Sequence, residues 1–283
     1  MIEALQFDFM RNALLAGVLV SIACGIIGTF VVLNRIVFIS GGIAHAAYGG
    51  VGLGYFFGFN PVLGAVGFSL VAALGMGEIQ RRTRQRADTL IGVLWAIGMA
   101  IGIILIDLTP GYKADLLSYL FGSILAVPTS DLWIMLGLNL VIITVVALFA
   151  KELLALSFDE TFTTVANVPV RALSLLLIAL IALTVVMMMR VVGLIMVIAL
   201  LTIPAAIAGQ FARDTRTMML LAGALGMSFT TIGLWLSYEL NLTSGATIIL
   251  VSAVAFLGSL AIRRRQRPAD AAVAPEAGLE QGL

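Results

Sequence analysis

His45 is the sole histidine in the chain of 283 residues. It lies in SGGIAHAAYGGVGLG, where most neighbours are glycine or alanine. A neutral imidazole carries one donor and one acceptor nitrogen, and burying it unpaired at membrane depth costs free energy. Ser40, Tyr48 or a facing backbone carbonyl could pair with it. Alternatively, the ring lines a path and offers a nitrogen to a passing cation. A second candidate contact is an oxygen. Pro204, in ALLTIPAAIAG, has no N–H, so the carbonyl of Leu200 loses its helical partner. That arrangement is either a kink relieved by Thr202 or a weak ligand. Ser40, His45, Tyr48, Leu200 and Pro204 are the candidate path residues.

Nothing else in the chain assembles a reactive group. Asp107 and Glu239 fall at the ends of apolar runs, and Asp115 opens a short one. None lies near His45 in sequence. A lone cysteine, Cys24, excludes an intramolecular disulfide. There is no CxxC, no phosphate loop and no HExxH. An intramembrane hydrolase needs a nucleophile with its base, a carboxylate pair or a metal cluster. A proton-coupled carrier usually has ionisable residues at mid-membrane. The sequence therefore describes a path with no engine of its own, one that an engine supplied by another subunit would fit. A secondary transporter and a non-transporting membrane protein are the rival readings.

Composition sets the elements that must position these residues. The chain is 61% apolar and only 11% charged, whereas a soluble domain is about 25% charged. A soluble enzyme and a nucleic-acid binder are excluded; the solvent over most of the surface is lipid. A helix needs roughly 20 apolar residues to cross the hydrocarbon. Nine spans are expected, at 12–33, 38–58, 61–77, 89–108, 131–150, 171–190, 192–210, 217–238 and 245–262. The run 115–127 is too short to cross and reads as a re-entrant or interfacial helix. The expected fold is an all-α, polytopic helical bundle. Residues 1–262 would form the membrane domain, and 263–283, rich in Ala, Pro, Glu and Gly, a disordered cytoplasmic tail.

Lysine and arginine fix the orientation. Of the 16, only Arg11, Lys113 and Arg190 fall on one side of nine alternating spans. The remaining thirteen fall on the other, including Arg81, Arg82, Arg84 and Arg86 in one loop and Arg263, Arg264, Arg265 and Arg267 after the last span. The N-terminus is expected outside and the C-terminus in the cytoplasm. Asp107, Asp115 and Glu239 then face outward.

The longest internal loop on the cytoplasmic side is KELLALSFDETFTTVANVPVRAL. A short helix over 159–167 is expected. Asp159 and Glu160 suit its positive end, Phe158, Phe162 and Val165 form an apolar stripe, and Pro169 stops it. The pattern fits an interfacial helix or one that inserts into a cytoplasmic partner.

FDETFTTVANVPVRAL resembles the coupling segment of metal-ion ABC importer permeases. Three further stretches resemble the same family in the same order: FISGGIAHAAYGGVGLGYFFG, VVGLIMVIALLTIPAAIAGQFARDTR and GLWLSYELNLTSGATIILV. The resemblance implies a type II ABC importer fold, a homodimer with the path between protomers, and a location in a bacterial or archaeal cytoplasmic membrane. It also implies ATPase subunits, which would hold the ATP, docked at Phe158, Asp159, Glu160, Phe162, Val165 and Pro169. A binding protein would dock outside, near Asp107, Asp115 and Glu239. Zinc, manganese or iron(II) would be cargo, with no permanent cofactor, and His45 would touch it transiently. Members of this family commonly place an aspartate four residues before the histidine; here that position is Gly41.

Overall fold

A computed structural model describes residues 6–83, 87–110, 122–191, 193 and 197–266. Lys113, Asp115, most of the expected 115–127 segment and the tail beyond 266 lie outside this description. The described elements are helices. They are α1 (Asp8–Leu33), α2 (Val37–Phe57), α3 (Pro61–Arg82), α4 (Ala87–Leu108), α5 (Thr129–Leu148), α6 (Ala150–Phe158), α7 (Glu160–Val165), α8 (Val170–Val191), α9 (Val197–Phe211), α10 (Thr215–Leu240) and α11 (Ser244–Gln266). A single 3-10 turn, Ile124–Ala126, precedes α5. Eight of these helices (α1 to α5, α8, α10 and α11) are long and apolar enough to cross a membrane.

The seventh expected span differs. It appears as α9, of 15 residues, about 22 Å at 1.5 Å per residue against the ~30 Å of a hydrocarbon core. Gly193, at φ 82°, ends the preceding helix, and its N–H bonds the Met189 carbonyl at 3.2 Å. Val191, Gly193 and Val197 are all buried.

Polar ties mark the two ends of the bundle. At one end the Asn34 amide donates to the Ser157 hydroxyl at 2.8 Å, and Arg171 Nε donates to Glu78 at 3.1 Å. Gln210 Nε2 donates to Ser259 Oγ at 3.1 Å near the same end. At the other, Asn12 donates to Thr129 Oγ1 at 3.2 Å. Because α8 enters from the first end and α9 returns to it, the start of α1 and the finish of α11 lie at opposite ends.

At the centre is α2, with 83% of its best span window buried, against 22% for α4. Apolar side chains gain little from meeting each other in lipid, so close backbone approach has to supply the packing. Glycine permits it. A Cβ on Gly52 would lie 2.6 Å from the Gly102 carbonyl oxygen, and one on Gly102 would lie 2.5 Å from that of Tyr48. No side chain fits between these backbones. Gly52→Val is expected to lower the thermal midpoint of the detergent-solubilised protein by several degrees, through overpacking of about 1–3 kcal/mol. Gly92→Ala, where nothing lies within 4 Å of the new Cβ, should leave it unchanged. A thermal-shift series on the two variants checks this.

Candidate functional site

His45 lies two turns into α2, and only 6% of its surface is exposed. Its Nδ1 is buried with no hydrogen-bond partner among the described residues. The pairings expected from the sequence are not made. Ser40 Oγ instead donates to the Val37 carbonyl of its own helix at 2.6 Å. Tyr48 is 1% exposed and packs against Gly102 of α4. The imidazole instead stacks on Trp95 of α4, with ring centroids 3.7 Å apart and planes 8° from parallel. Nothing in the composition of α4 marked Trp95. The available signal was depth: His45 and Trp95 each stand eight residues after the first residue of their helices, which start at the same end.

Gly41 is one turn before His45 on the same face. A side chain there would collide with Ile198, since its Cβ would sit 2.6 Å from Ile198 Cδ1. Cδ1 is the movable tip of the Ile198 side chain, so an aspartate at 41 requires that tip to rotate aside. One turn beyond His45, a Cβ on Gly49 would lie 2.9 Å from Phe68 Cζ. The imidazole is the polar group in a stripe covered on both sides by hydrocarbon. Leu200 and Pro204 are buried on α9. Their neighbours Leu201 and Ala205 pack against Gly28 of α1, so the part of α9 that meets the His45 face of α2 is Ile198. Thr202 Oγ1 donates to the Ile198 carbonyl at 2.7 Å, not to that of Leu200. Among the described residues no cluster of three or more His, Cys, Asp or Glu could hold a metal ion.

The short helix expected over 159–167 is α7. Asp159 caps it, accepting from the backbone N–H groups of Thr161 at 2.8 Å and Phe162 at 3.0 Å. Asn167, at φ 57°, turns the chain toward Pro169 and α8. Thr163 faces inward, whereas Phe158, Phe162 and Val165 are 71%, 65% and 78% exposed. Three large apolar side chains are thus presented outward on one short segment. Beneath it lies a cavity of about 350 Å³ whose lining includes Asn34, Ile39, Gln80, Glu160, Ser174 and Ile178. At the opposite end, Asp107 and Glu239 are exposed, close to the ends of α4 and α10.

A family model described as the ABC 3 transport family matches residues 6–263. The chain belongs to the ABC 3 transport family. It is 64% identical over 264 residues to an uncharacterized membrane protein of Synechocystis sp., covering 93% of this chain and 94% of that one. It is 36% identical over 262 residues to the manganese import system permease protein ScaB of Streptococcus gordonii, covering 93% and 94%. Among solved structures it is similar to PsaBC from Streptococcus pneumoniae in complex with Fab, at a TM-score of 0.87 and 34% identity, covering 96% of this chain and 98% of that one. The all-helical, type II importer reading of the fold therefore stands. The family match spans every helix that carries a candidate residue.

The packing at Gly41 is directly testable. Gly41→Asp is expected to reduce the yield of monodisperse protein, because the new side chain must push the Ile198 tip aside and set a carboxylate against hydrocarbon. Adding Ile198→Ala should restore most of that yield. Size-exclusion profiles of the two variants decide it; a single variant as monodisperse as wild type would contradict the contact.

Proposed function

We propose that this chain is the membrane-spanning permease subunit of an ATP-driven importer for a divalent metal ion, with manganese the first candidate. The observation that carries the reading is a buried imidazole whose Nδ1 has no hydrogen-bond partner among the described residues, at the centre of a glycine-lined helix. Such a ring costs free energy unless something transient pairs with it. A single borderline nitrogen holds a divalent cation weakly, and weak holding suits conduction, which needs a site the ion can leave. The likeness to a manganese import permease and to PsaBC supports the choice of cargo.

The accompanying parts are proposed on the same footing. The end carrying α7 is cytoplasmic and docks an ATPase subunit through Phe158, Asp159, Glu160, Phe162, Val165 and Pro169; ATP is hydrolysed on that partner. The exposed phenylalanines and the capped helix support this. The end carrying Asp107 and Glu239, with Asp115, receives an extracytoplasmic binding protein, whose encounter such charges would steer. The N-terminus is then outside and the C-terminus inside, in keeping with the placement of the basic residues. Two copies would flank one path in the cytoplasmic membrane.

Two experiments test the reading in the reconstituted transporter. His45→Ala and His45→Gln should each lower manganese uptake at least about tenfold, the effect of losing ~1.4 kcal/mol of transition-state stabilisation. Uptake at wild-type level in both variants would remove His45 from the path. Glu160→Lys combined with Phe162→Asp should abolish stimulation of the ATPase by loaded binding protein while the permease remains in the membrane. Retained stimulation would dismiss the docking assignment.

A further inference from the structure

The Trp95–His45 stack is tighter than helix packing by itself requires. Two rings at 3.7 Å and 8° are in full face contact, so the indole covers one whole face of the imidazole. Aromatic pairs more commonly adopt offset or edge-to-face geometry, with centroids further apart. Three features hold this arrangement. The glycines at 52, 98 and 102 bring the backbones of α2 and α4 together. The equal depth of the two residues sets the register. The hydrocarbon of Ile198 and Phe68, one turn either side of His45, closes the flanks. What these contacts leave unpaired is the edge of the imidazole, where Nδ1 is buried without a hydrogen-bond partner.

We propose that Trp95 is an affinity- and specificity-determining residue of the cation path, because its indole stabilises the His45 ring preferentially when a divalent cation sits on a ring nitrogen. The proposal rests on the metal-import reading above. Its physical basis is the quadrupole of the indole, whose face is negative and is the strongest cation–π surface among the side chains. A neutral imidazole stacked on it gains dispersion and little else. An imidazole bound to a dication loses electron density to the metal and approaches an imidazolium in charge. The attraction to the indole then rises, and the surrounding hydrocarbon leaves it poorly screened. The stack is thus worth more in the loaded state than in the empty one, and only that difference contributes to affinity. It also compensates in part for a ligand set limited, on this face of α2, to one neutral nitrogen, since Ile198 occupies the place of any second ligand at position 41.

A second consequence is geometric. With one face covered by Trp95 and with Ile198 and Phe68 one turn to either side, a bulky chelate has less room to reach the ring than a bare or partly dehydrated cation. Trp95 thereby biases the path toward free ions.

The test uses the complete transporter in proteoliposomes, with manganese(II) as the probe and the amount of assembled complex normalised. Position 95 is replaced by fluorinated tryptophans of increasing fluorine content, which keep the shape of indole and weaken its π-face, and separately by Phe and Leu. The expected result is a KM for manganese that rises progressively along the fluorinated series. It should reach about fivefold or more in Trp95→Leu, with Trp95→Phe intermediate and Vmax changing less than KM. A purely packing role would leave KM flat across the fluorinated series, and that result overturns the proposal even if Trp95→Leu fails to assemble. If the unsubstituted complex moves no manganese, zinc or iron(II), the metal-import reading itself falls and takes this proposal with it. Normal uptake with a flat fluorinated series removes the role of Trp95 alone.

Discussion

The backbone contact between α2 and α4 is the constraint on which the rest depends. In lipid, two apolar helices have no reason to prefer each other over acyl chains. They associate where their surfaces allow backbone atoms to touch, and the alternation of Gly49, Gly52, Gly98 and Gly102 provides such a surface. The gain comes from dispersion across a long, close seam, individually small and collectively large. The seam also fixes register. Sliding α4 by one turn would place a larger side chain where a glycine now faces carbonyl oxygen. His45 and Trp95 meet face to face because neither helix can shift without overlap. The same seam leaves the imidazole no room to swing toward a pairing partner on its own helix.

That constraint explains which features were legible in the sequence. The glycine clustering in α2 and the isolation of His45 are one-dimensional facts, and both carried through. So did α7: an acidic cap, an apolar stripe and a terminating proline are local signals, and the capped helix of Glu160–Val165 follows from them. The family motifs added order along the chain. Trp95 was not legible, because its significance is a pairing across helices about fifty residues apart, set by the glycine seam and not by any local pattern. Nor was the shortness of α9, described from Val197 to Phe211, since residues 192–210 have the composition of a span.

The substitution at Gly41 shows how a departure from a family pattern becomes interpretable once its surroundings are known. Taken alone, the glycine reads as a lost ligand. In the fold it is half of a pair: the small residue on α2 and the branched one, Ile198, at the start of α9 occupy complementary volumes. Placing a carboxylate there would require the tip of Ile198 to move. The imidazole of His45 thus stands one turn from hydrocarbon and not from a second polar group.

One rod joins the outward-facing segment to the bundle interior. Phe158, Phe162 and Val165 stand on the segment that ends at Pro169, and α8 begins at the next residue. Its 22 residues extend about 33 Å and finish at Val191, in the bundle interior. After it, α9 places Ile198 against Gly41, one turn from His45. The rod is closely packed: Leu173, Leu177, Ile181 and Val185 along α8 are all buried, so the helix cannot bend freely in response to a push at its exposed end. A stiff, close-packed rod transmits displacement where a flexible loop would absorb it.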